Sequence, residues 1–157
     1  MPIISPHLED PTVDGRQSDQ AMRVRRGIIK QFQELNVFFL PEFTLSTGRR
    51  ADLVGIDPKG EILIIEIKSS VADFNADSKW AEYKDYCDRF YFATHPDVPA
   101  EIFPQNEGFI LADQYGCEII REAEAEKLSS ARRKALMLRL ARSSAQRLTR
   151  FSLHEAQ

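Results

Sequence analysis

The stretch EILIIEIKSS, residues 61–70, sets an acid and an amine, Glu66 and Lys68, inside a run of isoleucine and leucine. The run reads as a strand buried on both faces, where a lone charge is costly unless it is paired or metal-bound. Two turns decide which other charges meet this pair. Asp57-Pro58-Lys59-Gly60 suits a type I turn closed by a left-handed glycine. That turn sets Asp52 opposite Glu66 and Arg50 opposite Lys68. Ser46-Thr47-Gly48 also ends in glycine, and the same geometry sets Glu42 opposite Asp52. Glu42, Asp52 and Glu66 then form one row across three strands, with Thr44, Arg50 and Lys68 as the next row. Like charges directly opposed destabilise a sheet, so the row needs a cation. A hard divalent ion, Mg²⁺ or Mn²⁺, takes carboxylate ligands. A lysine beside it is a compact charge able to orient or deprotonate a water, or to offset charge on a phosphate. Together these are the parts of metal-assisted phosphodiester hydrolysis. The other reading is structural: Lys68 and Arg50 neutralise the carboxylates in an ion-pair network. A two-residue turn would put Asp52 and Glu66 on opposite faces.

The row must be carried by a sheet, and the rest of the sequence supplies one. Ser18 is placed to cap a helix running to about Glu34. NVFFLPEFTL, RADLVGID and EILIIEIK read as three strands, the first an edge because Pro41 cannot donate to a ladder. A second helix is expected from Val71 to Asp88, with Trp80, Tyr83 and Cys87 on one side. RFYFAT is a strand, HPDVPAEIFP a proline-punctuated loop, and EGFILAD with CEIIRE a hairpin. A long helix is expected from Lys127 to Arg150, its face formed by Met137, Leu138, Ala141, Ala145 and Leu148. This order predicts an α/β domain, a mixed sheet flanked by helices, over residues 17–157 with a loose arm at 1–16.

Composition narrows the function classes. The chain has 157 residues and a net charge of −3, with no apolar stretch of membrane-spanning length and no visible secretory signal. Two separated cysteines, Cys87 and Cys117, argue against a disulfide framework or zinc finger and fit a cytoplasmic protein. Charge is uneven: residues 1–126 hold 13 basic and 23 acidic side chains, and residues 127–157 hold 8 and 1. The basic C-terminal helix, with Arg132 and Arg139, suits a phosphate backbone, an acidic partner protein, or a plain solvated face.

Other residues carry paired readings. Lys79 and Tyr83, four apart on the expected second helix, would share a face and overlook the site; the plainer reading is a surface lysine beside a packed tyrosine. Arg49 and Arg50 divide equally between phosphate contact and carboxylate pairing. Asp73 and Asp77 read as capping and helix-dipole residues. Trp80 reads as core, with base stacking as its alternative.

Asp52, thirteen intervening residues and Glu66-Ile67-Lys68 resemble the PD-(D/E)xK nuclease signature, with Ala51 where the motif's proline would stand. GRRADLVGID, IIEIKSSVADFNADSKWAEYKDYCDRFYFAT and EGFILAD further resemble the MmcB family of bacterial DNA repair proteins, over roughly residues 20–150. The resemblance implies a restriction-endonuclease-like fold acting on DNA in repair, alone or with other repair proteins, with dimerisation common in such folds. It implies that Asp52 and Glu66 bind a metal, with the carbonyl of Ile67 as a further ligand, and that Lys68 assists hydrolysis. For the third carboxylate the superfamily favours Glu34, from the first helix, and the register favours Glu42. Glu42 is preferred. The alternative function is a non-catalytic module that docks DNA or repair partners.

Overall fold

The computed structural model describes residues 18–155; the expected N-terminal arm lies outside them. Helix α1, Asp19–Gln33, begins where its cap dictates: the Ser18 hydroxyl accepts from the Ala21 N–H at 3.1 Å. Strands β1 (Phe38–Thr44), β2 (Arg50–Ile56) and β3 (Ile62–Ile67) follow as an antiparallel meander. Strand β4 (Arg89–Thr94) lies parallel to β3, and β5 (Gly108–Ala112) lies parallel to β4. Strand β6 (Cys117–Arg121) closes an antiparallel hairpin with β5. The six strands lie in sequence order, so β1 with its Pro41 is an edge, as expected.

Both glycine turns form as their residues require. Gly48 and Gly60 adopt φ of 89° and 84°. The Leu45 N–H donates to the Arg49 carbonyl at 2.8 Å, and that of Asp57 to Glu61 at 3.1 Å. The registers derived from these turns hold: Phe43 pairs with Ala51, and Leu53 with Ile65.

Every residue of β3 is buried, because each face of the sheet is covered. Val24, Ile28 and Phe32 of α1 pack on Leu53, Ile65 and Ile110. The other face carries Phe43, Val54, Ile62, Ile64, Phe90 and Phe92 beneath Tyr83, Leu136 and Leu140. Trp80, half-buried, stacks on Phe90 with ring centroids 5.7 Å apart and packs against this core.

Two helices differ from expectation. The second is broken: α2 covers only Val71–Ala76, and a 3-10 segment follows at Trp80–Tyr86. Between them Asp77 leaves helical geometry, at φ −100° and ψ 91°. The helical face expected to align Lys79 with Tyr83 therefore does not exist. The last helix, α3, spans Ser130–Glu155 and buries Leu136 and Leu140. Leu138 and Leu148, expected on its packed face, are 58% and 66% exposed.

Polar anchors fix that rotation. Arg133 donates to both carboxylate oxygens of Asp88, at 2.6 and 2.8 Å, near the helix start. Farther along, Arg139 donates to the Thr44 carbonyl at 2.8 Å, and Arg147 to the carbonyls of Pro41 and Glu42. Among the described residues no helix is long and apolar enough to cross a membrane.

Candidate active site

The regular pairing of β2 with β3 stops at Leu53 and Ile65, and two carboxylates take over beyond it. The Asp52 N–H donates to Glu66 Oε1 at 2.9 Å, and the Ile67 N–H donates to Asp52 Oδ2 at 2.8 Å. Each acid thus satisfies a main-chain donor of the other strand, which holds both carboxylates at one spot in the protein. The arrangement is electrostatically uncomfortable. Burial pushes the Asp52 carboxyl up to about 6, against the pull of the Ile67 N–H and of Lys68. Burial raises Glu66 well above the usual carboxylate range, and the charge of Asp52 raises it further.

Lys68 directly follows β3, its side chain 7% exposed. Its ammonium donates to Asp77 Oδ2 at 2.9 Å. Burial works against that charge, but the bond to Asp77 and the nearby Glu66 outweigh it, so Lys68 is held charged. Asp77 is held ionised in turn: burial opposes its charge, and the bond to Lys68 overcomes it. The strand end beneath is tied down as well. The Thr94 hydroxyl donates to the Lys68 carbonyl at 2.6 Å, and His95 Nε2 lies 2.9 Å from the Ser69 carbonyl.

Glu42 does not complete the row. Its backbone sits at φ 51°, and the ladder skips it between the Pro41–Leu53 and Phe43–Ala51 pairs. On β1 the residues facing one side go from Leu40 to Phe43, and on β2 from Ala51 to Val54. The alternation therefore slips on both strands at this point. The pairing arithmetic survives the slip, but the common face it implied for Glu42 does not. Glu42 lies buried with an oxygen 3.9 Å from Arg50. Glu34 is exposed at the end of α1, across the sheet, where it accepts from Gln31. Among the described residues no three His, Cys, Asp or Glu side chains gather closely enough to hold a metal ion.

The residues expected to meet DNA are largely engaged with the protein. Arg49 lies 3.3 Å from Asp77 and 4.6 Å above the Tyr83 ring, so of its two readings carboxylate pairing is the one observed. Tyr83 is buried and its hydroxyl donates to the Arg50 carbonyl at 2.9 Å. Lys79 is exposed at the entry to the 3-10 segment. Arg132 donates to the Asp85 carbonyl at 3.0 Å and lies 4.8 Å above the Tyr86 ring, while Arg139 is held by Thr44.

Sequence reasoning gave Asp73 and Asp77 one role. Asp73 keeps it, accepting from the Ser69 N–H at 2.9 Å. Asp77 instead partners Lys68, a pairing visible only once the helix is seen to break there. Thr94 and His95 carried no signal at all, since a parallel neighbour strand is placed by topology.

A family model for DNA repair protein MmcB-like proteins matches residues 8–155. The chain belongs to the MmcB-like family of DNA repair proteins. Among solved structures, the SPO1766 protein of unknown function from Silicibacter pomeroyi is 39% identical, covering 90% of this chain and 97% of its own, with a TM-score of 0.84. A repair endonuclease from Pyrococcus abyssi is 16% identical over 64% of this chain and 48% of its own, with a TM-score of 0.41, a likeness too distant to bear on function. Among curated proteins nothing matches. For the MmcB-like family, then, the strand pair carrying Asp52 and Glu66 and the short crossover carrying Asp77 form the chemically distinctive part of this chain.

Proposed function

We propose that this MmcB-like protein is a metal-dependent nuclease that hydrolyses DNA phosphodiester bonds in repair, on a restriction-endonuclease-like fold. The observation that carries the reading is the Asp52–Glu66 pair, Asp52 half-buried and Glu66 buried, both acids raised in pKa, beside a buried charged lysine. Two acids driven toward protonation by burial and mutual repulsion suit a divalent cation, which relieves both effects. Asp52 and Glu66 would hold Mg²⁺ or Mn²⁺, with the main-chain carbonyl of Ile67 as a further ligand. Such an ion, when bound, polarises a phosphoryl oxygen and acidifies a water.

The chain's own residues do the rest. Lys68, kept cationic by Asp77, offsets charge developing on the phosphate. The bonds from Thr94 and to Asp77 fix the lysine's backbone and ammonium, so it acts from a preset position. Arg49, on the other oxygen of Asp77, braces that carboxylate.

A second reading, a non-catalytic DNA- or partner-binding module, has one observation in its favour: Glu42 is not gathered with the other two acids. Purified protein incubated with labelled single-stranded, nicked and branched DNA, with Mn²⁺ or EDTA, separates the two. Cleavage that requires the metal and disappears in Glu66→Ala supports the nuclease. No cleavage of any substrate, or equal cleavage by Glu66→Ala, refutes it.

A further inference from the structure

The layer opposite the carboxylates holds a second charged surface. Arg23, Arg26 and Lys30 are exposed along one side of α1, and none forms an ion pair with another described residue. They line a groove of about 830 Å³ with Met22, Ile29 and Tyr115, and no acidic side chain lines it. In a chain of net charge −3, a groove whose charged lining is entirely cationic is a local departure that favours an anion.

Its aromatic wall is held in place by a close approach. A side chain at Gly27 would collide with the Asp113 and Gly116 carbonyls, its Cβ lying 1.8 and 2.6 Å from them. The hairpin turn between β5 and β6 therefore rests directly on the α1 backbone. The turn is itself tightened by Asp113 Oδ1, which accepts from the N–H groups of Tyr115 at 2.8 Å and Gly116 at 3.1 Å. Tyr115 at its tip is 70% exposed, beside the cations rather than packed in a core.

We infer that this α1–hairpin groove binds single-stranded nucleic acid, phosphates on Arg23, Arg26 and Lys30 and an unpaired base stacked on Tyr115. The cations span about 10 Å along the helix, enough to meet successive phosphates of one strand. An exposed ring beside a cationic track suits unstacked bases, whose faces a duplex hides. This goes beyond the nuclease reading and does not depend on it, because the groove lies on the other side of the sheet from Asp52 and Glu66.

The test is fluorescence anisotropy of a labelled 15-mer of deoxythymidine against a hairpin duplex, in EDTA. Wild type is expected to prefer the single strand and to weaken steeply with salt. R23E/R26E should lose about tenfold or more in affinity and flatten the salt dependence. Y115A should lose about tenfold on the single strand and little on the duplex. Lys59→Glu, a charge reversal at an exposed residue of the β2–β3 turn, should bind like wild type, which ties any loss to this groove. Thermal unfolding of each variant at the wild-type temperature confirms that folding is not the cause. Unchanged affinity and salt slope in R23E/R26E would overturn the inference; duplex and single strand equally affected by Y115A would overturn the stacking.

Discussion

Asp88 and the Asp52–Glu66 pair hold carboxylates against this sheet on opposite electrostatic terms. Asp88, fully buried, accepts from the N–H groups of Ile62 at 2.7 Å and Leu128 at 2.9 Å and from both ends of the Arg133 guanidinium. Burial alone would raise it, but these donors prevail and hold it below the usual carboxylate range. Asp52 and Glu66 have one main-chain donor each and a lysine already engaged by Asp77, and both are raised. A buried acid with its charge satisfied is a structural joint. A close pair of acids that are both raised is an arrangement that a bound cation would relieve, as the proposed function requires. Charge alone does not distinguish them; the donors around it do.

The sharpest way to break the structural side is Asp88→Ala. It strips two main-chain donors and strands Arg133, at a cost of about 3–5 kcal/mol. Thermal unfolding should fall by roughly 10 °C for a chain of this size. A loss below about 1 kcal/mol would mean Asp88 is no joint. Glu66→Gln should act in the opposite direction. Its amide oxygen still accepts from Asp52, and the repulsion disappears, so in EDTA at pH 8 the variant should be more stable than wild type, on the order of 1–3 kcal/mol. A destabilised variant would show that the acid pair is not under strain.

The pH dependences differ in sign. Asp52 is protonated in the folded chain where the unfolded chain has already ionised. The apo protein therefore loses stability as pH rises from about 4 to about 6, a slope that Asp52→Asn should reduce, with raised Glu66 supplying the remainder. Asp88, depressed, stabilises above the ordinary carboxylate pKa and loses that contribution as pH falls below it. Unfolding curves of wild type, Asp52→Asn and Asp88→Asn across pH 3–8 check both signs. A smaller effect concerns the cation itself. Mn²⁺ should raise the unfolding temperature of wild type at pH 8 and progressively less as pH drops through about 6, because protons compete for the same oxygens. A pH-independent shift, or one retained in Glu66→Gln, would place the ion elsewhere. The smallest expected change is Arg26→Ala, an exposed groove residue, whose stability should stay within ~0.5 kcal/mol of wild type.

Much of this contrast was legible in the sequence, and the reasons are local. Turn chemistry fixed the registers, because Gly48 and Gly60 admit the left-handed backbone that closes each turn. The apolar run of β3 declared its burial, and with it the anomaly of Glu66 and Lys68. The helix estimates failed where a distant partner overrode local preference. Asp77 ends α2 to reach Lys68, and Arg133 and Arg147 rotate α3 so that Leu138 and Leu148 face outward. Arg132 and Arg139 looked available for phosphate because the carbonyls that receive them lie far away in the chain.

The β1–β3 meander, its turn types and the pairing of Asp52 with Glu66 follow from residues close together in sequence, since hydrogen-bond geometry and hydrophobic period act over a few positions. Which charges are satisfied depends on partners brought in from remote segments: the Asp77 carboxylate that accepts from Lys68 across a broken helix, Arg133 beside Asp88, Arg50 beside Glu42. Only the tertiary structure decides that, because a buried charge is priced by everything that surrounds it and not by its neighbours along the chain.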